Sequence, residues 1–475
     1  MRYWLLIIGI LCFPCTAIEL PEMGISADRT MSPKEEQKLG ETFFRQLHRQ
    51  MVVIDDAEIN GYINSLGQRL ASYSDNPQQY FHFFVVKESS INAFAVPGGF
   101  VGIHSGLILA SYDESELASV LAHEIAHVTQ RHIARTLEAS QRMTLPALAA
   151  LILAGIISTK NPEIGQAAVA SIMAGNAQQQ IDYTRLHEQE ADRIGIQMLT
   201  GSGFDPQSMP NFFERLQAAN RYDEGSVPDF LRTHPVTTER IAEARNRVEQ
   251  LLRKKFNNEN SPLYHLMKAK LLVLVEGPSS NLLKKLQDML KEGRYRDERA
   301  IRYALVQTFL AMHQYENVKE HLDWLSKNDS DRVVYQLLKA QLFWEENHPR
   351  QAMEVYEQAL RVYPKDPMLV LDYAEKLVQS NYFIKAKEIL LDISPKSNSH
   401  YYQLLARVYQ HTGFQTEAHL ALAESAYLEG DTALAIDQLR QARQAKDLDR
   451  AMASRVEARY RELQQELLEE QTDLK

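Results

Sequence analysis

Ser119-Val-Leu-Ala-His-Glu-Ile-Ala-His-Val-Thr-Gln-Arg131 decides how the rest of the chain is read. It contains His-Glu-x-x-His, with His123, Glu124 and His127 at fixed spacing. At 3.6 residues per turn, positions i and i+4 stand one above the other on a helix face. The two imidazoles can therefore reach a single ion, while Glu124 lies beside them within reach of a water on that ion. The motif is short, so its surroundings matter. Glu116, Leu117, Val120, Leu121, Ile125 and Val128 give a helical apolar pattern with no Gly or Pro to break it. The competing reading is a core helix carrying two polar residues toward a neighbour.

A partner for this helix comes later in the chain, in Leu186-His-Glu-Gln-Glu-Ala-Asp-Arg-Ile-Gly195, on a helix expected to start near Gln180. Glu188 and Asp192 are four apart and share a face. Glu188 lies 61 positions beyond His127 (188 − 127) and can complete a two-His, one-Glu zinc site that leaves one position open, as in thermolysin. Asp192 would then accept a hydrogen bond from a ligand imidazole and fix its tautomer. His132 and His187 read as exposed bystanders, and His104 as a satisfied sheet residue. His234, in Phe230-Leu-Arg-Thr-His-Pro-Val-Thr-Thr-Glu-Arg-Ile241, sits at a loop-to-helix junction where Pro235 restricts it. A loop histidine held in this way could be a ligand, which composition alone leaves open.

The length of 475 residues exceeds one typical domain, so two or three are expected. A net charge of −10 with no basic block argues against nucleic acid as a partner. Arg2, the apolar run Trp4 to Phe13 and small residues through Ala17 predict a cleaved leader over residues 1–17. Cys12 and Cys15 are the two cysteines and both fall in that leader. The remaining chain would have no disulfide and could live in an oxidising compartment, of which a periplasm fits best.

The predicted architecture is α+β and mostly α. A metal-peptidase domain with a small sheet spans residues 18–255, and an all-α repeat solenoid spans 256–475. Ser32-Pro33 with Glu35 and Glu36 starts a first helix bearing Leu39, Phe43, Phe44 and Leu47. A second helix covers Ala57 to Tyr73 and should pack over the catalytic helix. Tyr80 to Val86 reads as a strand, and Phe94 to His104 as two short strands around the Pro97-Gly98-Gly99 turn. A strand beside a metal cleft can hold an extended peptide by backbone pairing. Met143 to Thr159 and Gly165 to Gly175 are apolar, but Pro146 and Gly155 interrupt the first, so buried or amphipathic helices over the site are expected rather than membrane spans. Asn257 to Pro262 marks a seam.

From about residue 295 a period near 34 sets in, the tetratricopeptide length. Ala340, Phe343, Ala352, Tyr356, Ala359 and Pro364 form the clearest unit, with partial copies at Ala374 to Pro395, Ala406 to Ala418 and Gly430 to Ala442, and a weak earlier one at Val306 to Leu322. The 17-residue step from Ala418 to Ala435 is half a period, implying a shared helix or a degenerate unit. Stacked pairs leave a concave surface for a protein partner. Arg459 to Lys475 reads as a solvated, fraying helix.

Taken together, His123-Glu-Ile-Ala-His127, Glu188-Gln-Glu-Ala-Asp192 and Asn92-Ala-Phe-Ala-Val-Pro-Gly-Gly99 resemble the membrane-associated and periplasmic zinc peptidases related to the CAAX prenyl protease and HtpX. The resemblance covers about residues 30 to 250 by motif and the remainder by architecture. It implies one zinc ion held by His123, His127 and Glu188, with Glu124 as general base and Asp192 supporting catalysis. It raises His234 to a fourth ligand of a resting enzyme and gives Arg240 a part in polarising the substrate carbonyl. It further implies misassembled outer-membrane proteins as substrates and the barrel-assembly machinery as the partner of the repeats. Two rival readings remain at this stage: a repeat-based chaperone or scaffold whose zinc is structural, and a membrane-embedded protease using Met143 to Thr159 as a span.

Overall fold

The computed structural model describes residues 31–140, 177–222, 229–251, 261–393 and 398–473. The expected leader, the runs Met143 to Thr159 and Gly165 to Gly175, and most of the expected seam lie outside these residues. Among the described residues no helix is long and apolar enough to cross a membrane.

Local signals set the first elements. Helix α1 (Pro33–Gln50) opens with a reciprocal cap: Ser32 Oγ accepts from Glu35 N at 3.3 Å, and Ser32 N donates to Glu35 Oε2 at 2.7 Å. Helix α2 (Ala57–Ala71) is capped by Asp56, which accepts from the amides of Glu58 and Ile59. Strands β1 (His82–Val86), β2 (Ala93–Val96) and β3 (Phe100–His104) form a sheet in the order β1-β3-β2. β1 runs parallel to β3, pairing His82 with Phe100 through Val86 with His104. β2 runs antiparallel to β3, from Ala93 opposite Ile103 to Val96 opposite Phe100, so β2 is an edge of the sheet. The hairpin turn at Pro97–Gly99 needs glycine. Gly99 has φ +85°, and a Cβ there would lie 1.8 Å from Tyr80 O.

Helices α3 (Ser105–Ala110), α4 (Glu114–Thr129), α5 (His132–Ser140), α6 (Ala177–Ser202), α7 (Ser208–Tyr222), α8 (Asp229–Thr233) and α9 (Thr238–Leu251) complete this half. The centre is α4, contacted by α2, α6, α7 and β2. Its residues Leu117, Val120, Leu121 and Ile125 are buried, as the apolar pattern predicts. Gly195 lets α6 approach closely: a Cβ at that position would meet Met209 Cε at 2.8 Å and the α4 backbone at Ala122 and His123 at 3.4 Å. That close crossing aligns the acidic face of α6 with the histidine face of α4.

The second half is a stack of helix pairs. The first pair is α10 (Pro262–Glu276) and α11 (Ser280–Lys291). Five further pairs follow: α12 (Glu298–Ala311) with α13 (Tyr315–Asn328), α14 (Val333–Glu345) with α15 (Pro349–Val362), α16 (Pro367–Gln379) with α17 (Phe383–Leu391), α18 (Ser399–Thr412) with α19 (Gln415–Leu428), and α20 (Thr432–Gln444) with α21 (Arg450–Asp473). Their first helices start at Glu298, Val333, Pro367, Ser399 and Thr432, steps of 35, 34, 32 and 33 residues. The half-period puzzle disappears here. Ala418 lies on the second helix of one pair and Ala435 on the first helix of the next, so neither is a degenerate unit.

The two halves share a core. One hydrophobic cluster runs from Ile54 through α4, α6 and α10 to Leu342 on α14. Lys270 on α10 bridges Asp56 at 2.9 Å and Glu58 at 3.1 Å, and Tyr303 on α12 donates to Glu58 Oε2 at 2.6 Å. The far end of the stack returns to α1, where Arg45 donates to Tyr427 Oη at 3.0 Å and pairs with Glu466. The expected solvated tail is therefore corrected in part: Arg461, Glu462 and Leu468 are exposed, but one face is not. Val456 and Leu463 of α21 are fully buried against the last pair, because this helix carries an apolar stripe that covers the end of the stack.

Filling Gly195 would press on the α4 backbone. Gly195→Leu is expected to destabilise the fold by about 1–3 kcal/mol, the usual cost of overpacking, with Gly195→Ala much milder. A urea midpoint for each variant checks this.

Candidate metal centre

Asp113 caps α4 by accepting from Glu116 N at 2.8 Å, and the helix then runs unbroken through His123, Glu124 and His127. Across the Gly195 crossing, α6 brings Glu188 and Asp192 to the same level. His234 arrives from the loop after α8. The phenyl ring of Phe230 stacks on it at 4.9 Å between ring centres, and Thr237 Oγ1 accepts from Arg240 N at 3.2 Å to start α9.

The donor atoms converge. His123 Nε2 lies 3.0 Å from His127 Nε2, 3.3 Å from His234 Nδ1 and 3.3 Å from Glu188 Oε2. Glu188 Oε1 lies 3.4 Å from His127 Nε2 and 3.0 Å from His234 Nδ1. One ligand atom from each of His123, His127, Glu188 and His234 falls within 4.8 Å of all the others. Tetrahedral bonds of about 2.0–2.1 Å would place ligand atoms roughly 3.3–3.4 Å apart, so the spacing suits a small divalent cation. Charge agrees with geometry. Glu124, Glu188 and Asp192 are buried carboxylates, and Arg240 is the one buried guanidinium among them. With neutral imidazoles that leaves two negative charges, which a divalent ion balances.

Each site residue has a distinct surrounding. Glu124 Oε1 is buried with no hydrogen-bond partner and faces His234 Nε2 at 3.5 Å. Asp192 does not face the donor cluster. It lies behind His123, with Oδ1 at 3.0 Å from Nδ1, and takes a bidentate pair from Arg240 at 2.7 and 2.8 Å. Arg240 is also bound at 2.8 Å to Glu188 Oε2 and donates at 2.9 Å to Pro235 O. The expectation that Arg240 polarises a substrate carbonyl gives way to a different role. All its donors near the site are committed to the two carboxylates and to the loop that carries His234.

Burial opposes charge at Glu188, but His234 and Arg240 outweigh it and hold the carboxyl well below its usual range. At His123 burial is likewise overcome by the carboxylates of Asp192 and Glu188, which push the imidazole up to about 10. His127 stays below its ordinary value because burial dominates the pull of Glu188.

The two expected bystanders are misplaced by the sequence reading. His132 and His187 are buried, not exposed, and their rings stack at 4.2 Å with 9° between planes. Burial, reinforced by His127, His187 and Arg135, holds His132 far below the ordinary imidazole range. Burial, Arg135 and His127 push His187 down to about 4. His104 is buried at the end of β3, with Nδ1 at 2.8 Å from Ser90 Oγ.

Fold and site together define a metal-dependent peptidase joined to helical repeats. The model of peptidase family M48 matches residues 57–248, and a tetratricopeptide-repeat model matches residues 343–408. The β-barrel assembly-enhancing protease of Escherichia coli K12 is 35% identical over 455 residues, covering 95% of this chain and 93% of that protein. The same-named protein of Yersinia pestis is 33% identical over 446 residues, covering 94% of this chain and 91% of its own. The mitochondrial metalloendopeptidase OMA1 of Schizosaccharomyces pombe is 29% identical over 207 residues, covering 43% of this chain and 56% of its own. The chain belongs to the family of the β-barrel assembly-enhancing proteases, metallopeptidases of family M48 that carry tetratricopeptide repeats.

The raised value of His123 makes a pH prediction for the metal-free chain. A raised imidazole contributes stability that is fully present below its unfolded value of 6.5 and lost as pH climbs through about 10. Chelator-treated protein is therefore expected to lose stability between those limits, and Asp192→Asn should flatten the slope. Denaturant midpoints measured across pH decide it.

Proposed function

We propose that this chain is a periplasmic zinc endopeptidase that degrades misassembled outer-membrane proteins, with its repeats presenting the peptidase to the barrel-assembly machinery. The observation that carries the enzymatic part is Glu124: a buried carboxylate oxygen without a hydrogen-bond partner, beside four converging donors. Two histidines, a glutamate and this spacing favour zinc over harder cations. The periplasm is supported by the expected leader and by the absence of cysteine after Cys15. Substrate and partner are supported by the names of the relatives and by the repeat array.

His123, His127 and Glu188 would hold the ion, with His234 as a fourth ligand in the resting state. When bound, zinc supplies Lewis acidity to a peptide carbonyl and acidifies water. Glu124 takes the proton of the attacking water and returns it to the leaving amine. Asp192 holds His123 from behind through its Nδ1, and Arg240 fixes both α6 carboxylates. The edge strand β2 lies against α4 and offers backbone pairing to an extended peptide. That mode of binding reads main chain more than side chains, which suits unfolded substrates of varied sequence.

Four protein donors close the coordination sphere, whereas hydrolysis needs a place for water. His234 stands between the other donors and Glu124, so its ligation would keep the enzyme latent and its departure would open that place. The same closure favours a second reading, a scaffold whose zinc is structural.

Digestion of an unfolded protein such as casein by the full-length chain separates these readings. Slow wild type, several-fold faster His234→Ala and a loss of at least about 100-fold in Glu124→Gln, with metal retained, support a latent protease. Equal silence of all three with zinc bound would leave the scaffold. A His234→Ala variant slower than wild type would end the latency reading.

A further inference from the structure

We propose that His132 and Glu190 are positioning residues for the ligand His127, forming a hydrogen-bonded chain that fixes which of its nitrogens faces the metal. The inference rests on the metal-centre reading above and goes beyond it.

His127 Nε2 points into the donor cluster, 3.0 Å from His123 Nε2 and 3.4 Å from Glu188 Oε1. Its other nitrogen, Nδ1, lies 2.9 Å from His132 Nδ1. Two nitrogens at that separation share one proton. A ligating nitrogen carries none, so the proton of His127 sits on Nδ1 and is donated to His132 Nδ1. His132 then carries its own proton on Nε2, which lies 3.2 Å from Glu190 Oε2. Arg135 donates to that same oxygen at 2.8 Å. The polarity of the whole chain therefore runs outward from the metal, His127 to His132 to Glu190. Asp192 does the equivalent at His123.

The backbone is built to deliver this contact. In an unbroken helix His132 would be rotated about 140° from His127, five residues on. Instead α4 stops at Thr129, Arg131 takes φ +53°, and His132 opens α5 facing back toward the site. A non-glycine residue in the left-handed region costs on the order of 1–2 kcal/mol. Arg131 is held there by Glu36, which accepts from its Nε at 3.0 Å. His187 stacks on His132 and holds the plane of its ring, while the contacts of its two nitrogens to His127 and Glu190 select the orientation within that plane. No step of peptide hydrolysis needs His132 or Glu190 themselves, so the geometry points to orientation of the ligand.

Zinc affinity of the full-length chain, measured by chelator competition, tests the chain without relying on turnover. His132→Phe keeps the stacked ring and removes both hydrogen bonds, and is expected to weaken zinc binding about 10- to 100-fold with thermal midpoint near wild type. His132→Asn, whose amide oxygen can accept where Nδ1 stood, should recover part of the loss. Glu190→Gln should give a smaller loss. A folded His132→Phe that binds zinc as tightly as wild type, or a His132→Asn as weak as His132→Phe, would overturn the proposal. If His132→Phe does not fold, Glu190→Gln decides: unchanged affinity sinks the chain and weakened affinity supports it. Should His127→Ala bind zinc as tightly as wild type, the metal-centre reading itself falls.

Discussion

Three carboxylates and one guanidinium buried in one small volume are the constraint on which the rest of this structure depends. Isolated buried charges of that kind cost several kcal/mol each unless they are paired. Arg240 satisfies Asp192 with two hydrogen bonds and forms an ion pair with one oxygen of Glu188. What remains is a cluster of imidazole and carboxylate donors whose excess charge a divalent cation would match. The stability of the half around α4 and the chemistry of the site are thus the same electrostatic problem.

The packing around α4 follows from it. Charged donors can be held within hydrogen-bond distance only if their helices are rigid and close. Gly195 permits the close crossing of α4 and α6, and a continuous apolar core from Ile54 to Leu342 fixes both against the repeats. Lys270, Glu58 and Tyr303 join the halves on one side, and Arg45, Tyr427 and Glu466 join them on another. The repeat stack is therefore a buttress for the catalytic half as well as a surface.

Arg240 illustrates why a motif cannot be read alone. A lone arginine downstream of a histidine looks available to a substrate. In the fold its guanidinium is sealed under Phe213, 5.0 Å from the ring centre, and spends its donors on Asp192, Glu188 and Pro235 O. It ties the His234 loop to α6, which couples any movement of His234 to the carboxylates that hold the site.

His123, His127, Glu188 and Asp192 were legible as candidates, with Glu124 beside them, because helical spacing places i and i+4 on one face whatever the tertiary fold; His234, on a loop, was left open by the residues and raised only by the resemblance. The repeat period was legible for the same reason: it is a local regularity. His132 and His187 were not, since a five-residue step points away from the site on an ideal helix and a neighbour of Glu188 looks exposed. Only the reversal at Arg131 and the stacking of the His132 ring on that of His187 bury them together. The tail helix α21 was misread because its polar residues are numerous, and its apolar stripe matters only once the last pair is there to cover. Sequence by itself determined what repeats along one element; tertiary structure alone decided what meets across elements, because such contacts depend on where helices end and how closely they cross.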